Sequence, residues 1–265
     1  MSVDLSQFES GHRYAGDYEA DLRALQLRLA HIQAAYITHG GRAIIAVEGW
    51  DASGKGGAIR RLTASWDPRW FHVWPIGAPN RQAADRHFLW RFWQHIPARG
   101  NISIFDRTWY GRVLVERVEG LCSQTDWRRA YDEINEFEAQ QRDADTVLIK
   151  IFLHVTAQEQ DKRLKRRLNE PWKRWKTGPE DYRNRAKRPA YLEAYADMFR
   201  QCNTRWAPWI VLDGNNKKAA RIAFLQAVAD QLESAVDMNP PALDTALAEL
   251  AKAAFGTAGD PADHG

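Results

Sequence analysis

The sequence predicts an α/β fold, a three-layer sandwich in which helices cover both faces of a parallel five-stranded sheet. Apolar segments alternate with amphipathic segments along most of the 265 residues, an order typical of strands joined by crossover helices. Residues 147–153 are apolar on both faces apart from Lys150, as expected for a central strand buried on both sides. In such sheets ligands bind at the carboxyl ends of the strands.

The hydrophobic periodicity places the individual elements. Leu22, Leu25, Leu29, Ile32 and Tyr36 recur at spacings of three and four, which predicts an amphipathic helix over 18–38. The predicted strands are 42–48, 71–76, 101–106, 146–154 and 209–213. Further helices are predicted at 56–65, 81–95, 110–117, 126–143 and 217–234.

The chain is expected to form one domain with short extensions. Residues 1–17 are predicted to be an irregular arm, residues 18–237 the domain, and residues 238–265 an Ala- and Pro-rich tail, partly disordered, with a short helix over 242–254. Two cysteines far apart, Cys122 and Cys202, indicate a reducing compartment without disulfides. Without a leader sequence or an apolar run of membrane length, we expect a cytoplasmic protein that binds no membrane.

The basic residues are concentrated in one segment. Between Lys162 and Arg188 there are 12 lysines and arginines against 3 acidic residues, inside a long helical stretch, 157–205, that suits a mobile lid. Such a charge run is usually a solvated helix face, and a nucleic-acid-binding arm is the other alternative. Because no nucleic-acid-binding motif accompanies the run, we expect no nucleic-acid partner and favour a strongly anionic ligand.

An apolar strand at 42–48 leads into Gly-x-x-x-x-Gly-Lys and then into a helix. This order is the context that a phosphate-binding P-loop requires. A P-loop usually continues with Ser or Thr, whose hydroxyl holds magnesium, but Gly56 stands there. We therefore expect Asp51, inside the loop, to bind the metal. The residues predicted to contact phosphate here are Gly49, Ser53, Gly54, Lys55, Gly56 and Gly57.

A second motif follows the strand predicted at 101–106. Asp106 ends that strand and Arg107 and Arg112 follow it, in the position of the second metal-ordering carboxylate of P-loop proteins. The alternative is that Asp106 caps a helix while the arginines face solvent. Beside a P-loop we favour a site in which Asp51 and Asp106 hold magnesium and the arginines bind phosphoryl oxygens.

The third motif spans residues 163–176 in the basic segment. Arg163, Arg166 and Arg167 share one broad helix face, and we expect them to bind phosphate together with Lys176 near the end of the motif. Trp172 and Trp175 are predicted to pack the lid. Trp50 and Trp109 lie inside the first two motifs and are predicted to line a pocket for a base or another ligand.

The three motifs together resemble the signatures of the polyphosphate kinase 2 family. The matching segments are Gly49-Trp50-Asp51-Ala52-Ser53-Gly54-Lys55-Gly56-Gly57, then Phe105-Asp106-Arg107-Thr108-Trp109-Tyr110-Gly111-Arg112 with Val115-Glu116-Arg117-Val118, and Pro171-Trp172-Lys173-Arg174-Trp175-Lys176. The resemblance implies a thymidylate-kinase-like P-loop kinase fold with a helical lid. It also implies transfer of the terminal phosphoryl group of inorganic polyphosphate to a nucleotide, with Mg²⁺ as cofactor and Mn²⁺ as the expected substitute.

The resemblance also implies roles for particular residues. Asp51, Lys55, Asp106, Arg107 and Arg167 fall on the family's functional positions, and Trp109, Arg112 and Glu116 are expected to bind the nucleotide. The form of the second motif, with Gly111 before the arginine, is similar to the branch that phosphorylates AMP. Phosphorylation of ADP to ATP is the alternative, guanine nucleotides are further candidate acceptors, and a homodimer or homotetramer is expected.

Two functions of other classes compete with this interpretation. One is a nucleotide kinase that uses ATP as donor, which Gly56 and Asp51 disfavour because they break the standard loop. The other is a non-catalytic module that binds polyanions through the basic segment.

Overall fold

The computed structural model describes residues 3–256. The strands are β1 (Arg42–Gly49), β2 (Phe71–Pro75), β3 (Ile102–Asp106), β4 (Thr146–His154) and β5 (Trp209–Asp213). The α-helices are α1 (Tyr18–His39), α2 (Lys55–Leu62), α3 (Arg81–Ala84), α4 (Trp90–Trp93), α5 (Val115–Glu119), α6 (Gln124–Asp143), α7 (Ala157–Asn169), α8 (Pro179–Ala186), α9 (Arg188–Cys202), α10 (Lys217–Glu233) and α11 (Thr245–Phe255). Short 3-10 helices span Leu5–Phe8, Trp109–Arg112 and Pro171–Lys176.

The five strands form one sheet in the order β2-β3-β1-β4-β5, and every neighbouring pair is parallel. The predicted fold class is therefore confirmed, and each predicted strand lies within a residue or two of an observed one. β1 lies at the centre, between β3 and β4. In the register of β1 with β3, Val47 is opposite Asp106. The loops that follow these two strands thus leave the sheet side by side.

Each face of the sheet packs against helices in its own hydrophobic core. Ile45 and Val47 of β1 face the first core, with α1, α2 and α10, whereas Ile44 and Ala46 face the second, with α6 and α9. Because successive side chains of a strand point to opposite faces, one apolar strand supplies both cores. The predicted apolar stripe of α1 is buried at all of its positions in the first core.

Two predicted helices were wrong in detail. The predicted helix over 81–95 is two short helices, α3 and α4, because the backbone N–H of Leu89 is directed to Nδ1 of His87 (3.4 Å) rather than into a helical ladder. The predicted helix over 110–117 is a 3-10 helix followed by α5. There the Thr108 side chain accepts from the N–H of Tyr110 (3.2 Å) and begins a tighter turn.

Both chain extensions contain some regular structure. The arm has one 3-10 helix and contacts the end of β5, where the Gly11 N–H and the Ser10 hydroxyl donate to Asp213 (2.7 and 2.9 Å). The predicted tail helix is present as α11, which buries no residue, while the predicted disorder falls mainly on residues outside the described part. Within residues 3–256, no helix is both long and apolar enough to cross a bilayer.

A fully buried ion pair lies beneath the second motif. Nζ of Lys150, on β4, is 2.8 Å from Oε2 of Glu138, on α6. The other carboxylate oxygen accepts from the Trp109 indole (3.0 Å) and the Tyr110 hydroxyl (2.6 Å). Lys150 also donates to the Cys202 carbonyl (2.7 Å). These bonds tie the 3-10 helix of the second motif to the sheet.

We expect Glu138→Gln to lower the free energy of unfolding by about 3 kcal/mol, because it leaves the Lys150 ammonium buried without its counter-charge. Urea denaturation followed by circular dichroism measures this change. Glu136→Gln on the exposed face of the same helix is the matched control and should alter stability by less than about 0.5 kcal/mol. Equal effects of the two substitutions would contradict the assigned role of the pair.

Candidate active site

The first motif forms a tight loop between β1 and α2. Gly49 has φ 140°, and a Cβ there would lie 2.3 Å from the Leu153 carbonyl oxygen of β4. Gly54 has φ 118° and precedes the first turn of α2. Both positions therefore require glycine. Nζ of the buried Lys55 donates to the carbonyls of Gly49 (2.7 Å) and Trp50 (3.1 Å), so its ammonium lies inside the curve of the loop.

Arg163 of α7 holds the outer side of this loop. Its guanidinium donates to the carbonyls of Ala52 (3.2 Å) and Ser53 (2.6 Å), and also to those of Gly214 (2.6 Å) and Asn215 (3.3 Å). The fifth N–H donates to Glu159 (2.7 Å). The predicted phosphate-binding role of Arg163 stays a prediction. All five donors are occupied by protein, so this residue shapes the loop.

Asp51 connects the loop to the second motif and to the segment predicted to be the lid. Its two oxygens accept from Nη2 of Arg107 (2.8 Å) and from Nδ2 of Asn184 on α8 (2.8 Å). Tyr191 orients Asn184 by donating to its Oδ1 (3.0 Å). Burial favours a raised pKa for Asp51, but the positive charges of Lys55 and Arg107 outweigh it and lower this pKa. Asp51 is thus an ionised carboxylate held by cationic and amide donors.

Asp106 lies next to the first turn of α2. Its Oδ2 is 3.7 Å from the place where a Cβ of Gly56 would be, so the glycine that replaces Ser or Thr leaves room beside this carboxylate. Carboxylates at the ends of adjacent strands, next to a phosphate loop, are oxygen donors that suit Mg²⁺. This ion usually takes its remaining oxygen ligands from phosphate and water. Among the residues that the structure describes, no group of three or more acidic, His or Cys side chains forms a closed metal site.

Glu48 is a buried acid that we did not predict from the sequence. It precedes Gly49, and its Oε1 accepts from the backbone N–H and the hydroxyl of Thr108 (both 2.8 Å). Burial raises the pKa of Glu48, although Lys55 and the hydrogen bonds from Thr108 act in the opposite direction. The signal in the sequence was an acidic residue at the end of an otherwise apolar strand.

A cavity of about 400 Å³ opens in front of these groups, within the size range of small-molecule sites. Its walls come from the end of β1, the second motif and the lid. Trp50, as predicted, lines this cavity. Its indole N–H donates to Nδ1 of His154 (2.9 Å), and Arg188 stacks 3.8 Å from its ring. The cavity lining also includes Glu48, Asp51, Arg91, Arg107, Glu116, Arg183, Asn184, Tyr191 and Tyr195.

The three residues predicted to bind the nucleotide, Trp109, Arg112 and Glu116, line one smaller cavity of about 180 Å³ but differ in burial. Glu116 also lines the cavity in front of Asp51 and pairs with Arg112 (2.9 Å), whose guanidinium stacks on Phe88. Trp109, by contrast, is 1% exposed in the second core, and its indole N–H is bonded to Glu138. The bond to Glu138 anchors Trp109, and with it the second motif, to the core. The predicted contact of Trp109 with the nucleotide stays a prediction.

The segment predicted to be a lid comprises α7 to α9 with the 3-10 helix Pro171–Lys176. Arg167 donates to the Lys176 carbonyl (2.7 Å), which braces the turn of the third motif. Arg166 is exposed and 3.4 Å from Glu170, so its charge faces solvent. Trp172 and Trp175 do not pack the lid as predicted, because they are 92% and 77% exposed.

A sequence model of the family described as Polyphosphate kinase 2 matches residues 13–240. The match covers most of the chain. The chain belongs to the polyphosphate kinase 2 family. All three motifs, and both carboxylates at the strand ends, lie inside the matched segment.

Relatives and solved structures agree with this family. The chain is 46% identical to a polyphosphate:AMP phosphotransferase of Pseudomonas syringae pv. tomato, over 88% of this chain and 46% of that protein. It is 38% identical to an AMP/ADP-polyphosphate phosphotransferase of Meiothermus ruber, over 93% and 91% of the two chains. A crystal structure of polyphosphate kinase 2 from Arthrobacter aurescens TC1 superimposes with a TM-score of 0.86 at 32% identity, over 95% and 93%. The chain thus spans about half the length of the Pseudomonas relative.

We expect Arg163→Lys to lower the free energy of unfolding by roughly 3 kcal/mol, because one ammonium cannot satisfy four buried carbonyls. Thermal unfolding measures the loss. Arg166→Lys, one turn along the same helix at an exposed position, should leave the midpoint unchanged. A stable Arg163→Lys variant would show that the loop does not need the guanidinium.

Proposed function

We propose that this protein transfers the terminal phosphoryl group of inorganic polyphosphate to a nucleotide, with AMP as acceptor and ADP as product. The single observation that carries the proposal is the cavity in which the P-loop, the second motif and the lid meet at Asp51. Family membership and the names of the relatives support the same chemistry. The oxygen that bridges the terminal phosphorus to the chain leaves with the shortened chain, and an oxygen of the acceptor phosphate forms the new bond.

Phosphoryl transfer depends on positioning and on neutralising charge more than on covalent help from the protein. Lys55 would meet the terminal phosphate after leaving the carbonyls of Gly49 and Trp50. Arg107 would approach the same phosphate once Asp51 releases it. A nucleotide phosphate is already ionised near neutral pH, so its attack requires no strong general base. Arg167 and Lys176 would add positive charge when the lid closes.

We assign Asp51 and Asp106 as the carboxylates that hold Mg²⁺, with Mn²⁺ as a substitute. When bound, the ion would supply positive charge that neutralises the charge developing on the phosphate oxygens during transfer. The lowered pKa of Asp51 keeps its carboxylate ionised for this role. Without a metal, the carboxylates would repel the phosphates beside them.

ADP is the second candidate acceptor. The Meiothermus ruber relative is named for both AMP and ADP and matches this chain along nearly its whole length. The Pseudomonas relatives named for AMP are more similar in sequence but about twice as long. We also propose a homodimer or homotetramer in the cytoplasm, which uses adenine or guanine nucleotides and binds neither nucleic acid nor membrane.

The proposal is tested by incubating the purified protein with Mg²⁺, AMP and either polyphosphate or ATP, and by separating the nucleotides chromatographically. We expect ADP from polyphosphate and a lower rate with ADP as acceptor. Product from ATP alone would indicate an ATP-dependent nucleotide kinase. Binding of polyanions without turnover of any acceptor would indicate a non-catalytic module.

We expect Asp51→Asn to reduce kcat/KM by about a hundredfold or more, equivalent to roughly 3 kcal/mol of transition-state stabilisation, because the metal loses a charged ligand. The apparent Mg²⁺ affinity, measured by titration of the rate, should fall as well. Asp132→Asn on the exposed surface of α6 is the matched control. Unchanged Mg²⁺ dependence of the Asp51 variant would show that other groups hold the metal.

A further inference from the structure

His154, the last residue of β4, lies between the P-loop and the amino-terminal arm. Its side chain is buried. Nδ1 accepts from the indole N–H of Trp50 (2.9 Å), and Nε2 lies 2.9 Å from Oε1 of Glu9. Burial lowers the pKa of His154, although the carboxylate of Glu9 acts in the opposite direction. The ring is therefore neutral near neutral pH and has one N–H. Because Nδ1 accepts from the indole, that hydrogen is on Nε2 and is donated to Glu9.

The bond to His154 fixes the orientation of the Trp50 ring, which lines the cavity in front of Asp51. Arg188 lies 3.8 Å from the centre of the ring, and Tyr195 packs against it edge-on at 4.8 Å. These contacts involve the ring system and do not depend on which edge carries the N–H. A different ring orientation would leave the indole N–H buried without an acceptor, which is unfavourable. The hydrogen bond therefore selects the orientation in which Trp50 forms a wall of the cavity.

The backbone of the loop around Trp50 is held by other bonds. The Trp50 carbonyl accepts from Nζ of Lys55 (3.1 Å), and the Asp51 carbonyl accepts from Nε2 of Gln160 (3.1 Å). Gln160 in turn accepts from Arg188 (2.9 Å). Loss of the bond to His154 would therefore change the position of the Trp50 ring without moving the groups that act on phosphate.

The arm brings Glu9 to His154. Phe8 packs against the second core, and the Ser10 hydroxyl donates to Asp213 at the end of β5 (2.9 Å). The residues on both sides of Glu9 are thus attached to the domain independently of its carboxylate. Within residues 3–256, Glu9 forms no ion pair other than the one with His154. The segment that the family model matches begins at residue 13, so this contact lies outside it.

We propose that Glu9 and His154 are positioning residues for the acceptor nucleotide, because they fix the Trp50 ring as a wall of the cavity that binds it. The inference rests on the proposed function and adds the arm to the acceptor site. Neither residue touches the reacting atoms. Their removal should therefore weaken binding of the acceptor and leave both the transfer step and the use of the donor unchanged.

The test measures KM for AMP at saturating polyphosphate and KM for polyphosphate at saturating AMP. We expect Glu9→Ala to raise KM for AMP about threefold, because the hydrogen bond that orients His154 is lost, while kcat and KM for polyphosphate stay unchanged. Glu9→Gln keeps an acceptor and should restore the wild-type KM. Gln7→Ala, at an exposed position of the same 3-10 helix, is the matched control and should change neither constant.

Two substitutions of His154 separate its two hydrogen bonds. His154→Asn keeps an acceptor near the position of Nδ1 but does not reach Glu9, so its KM for AMP should match that of Glu9→Ala. His154→Gln reaches Glu9 but leaves the Trp50 indole without an acceptor, and its KM for AMP should rise about tenfold. Thermal unfolding of each variant checks that the fold is retained. The reverse order of the two effects would contradict the proposal.

A double-mutant cycle shows whether Glu9 acts through Trp50. Trp50→Phe keeps an aromatic ring and removes the N–H, so Glu9→Ala should have no further effect on KM for AMP in that background. A rise that persists there, or an equal rise in KM for polyphosphate, would overturn the proposal. Calorimetric titration with AMP makes the same comparisons without turnover. Wild type that turns over neither AMP nor ADP would refute the proposed function, whereas turnover with the same KM for AMP in wild type and Glu9→Ala would refute only this role.

Discussion

The site depends on the parallel pairing of β1 with β3 and β4. The register that places Val47 opposite Asp106 brings two loops to the same edge of the sheet, although their residues Asp51 and Arg107 are 56 positions apart in the chain. Pairing with β4 brings the Leu153 carbonyl so close to Gly49 that only glycine fits there. The strand alternation that fills both cores therefore also sets the positions of the phosphate loop and of the carboxylate beside it.

Acidic and basic side chains alternate across this edge of the sheet. Asp51 is held by Arg107 and Asn184, Glu48 by Thr108, and Lys55 by carbonyls of its own loop. Each of these three groups therefore has a polar partner within the protein, which limits the cost of burying it. Entry of phosphate and a cation would replace these partners. Arg107 and Lys55 would then bind phosphate oxygens, and Asp51 would bind the metal. Because Asn184 belongs to the lid, the same exchange would also change how the lid contacts the loop.

Buried polar networks support the site from below. Lys150 and Glu138 hold the Trp109 indole and the Tyr110 hydroxyl, while Arg163 holds the P-loop from its outer side. None of these groups faces the cavity in front of Asp51. They define the backbone on which the reactive side chains are placed, and preorganisation of this kind is the main contribution of a protein to phosphoryl transfer. A lysine in an apolar strand and an arginine in a basic run thus have structural roles.

The sequence by itself determined the fold class, the strands and the three motifs, because strand periodicity and the glycines of a phosphate loop are local properties. It also indicated Asp51, Lys55, Asp106 and Arg107. Only the tertiary structure decided which side chains face the cavity. Trp109 and Arg163 both lie in phosphate motifs. The Trp109 side chain is nevertheless buried in the core, and the Arg163 guanidinium donates to buried carbonyls. Glu48 and Asn184 join the site through contacts with residues distant in sequence. Side-chain direction follows from packing and hydrogen-bond partners across the fold, and no local pattern encodes those partners.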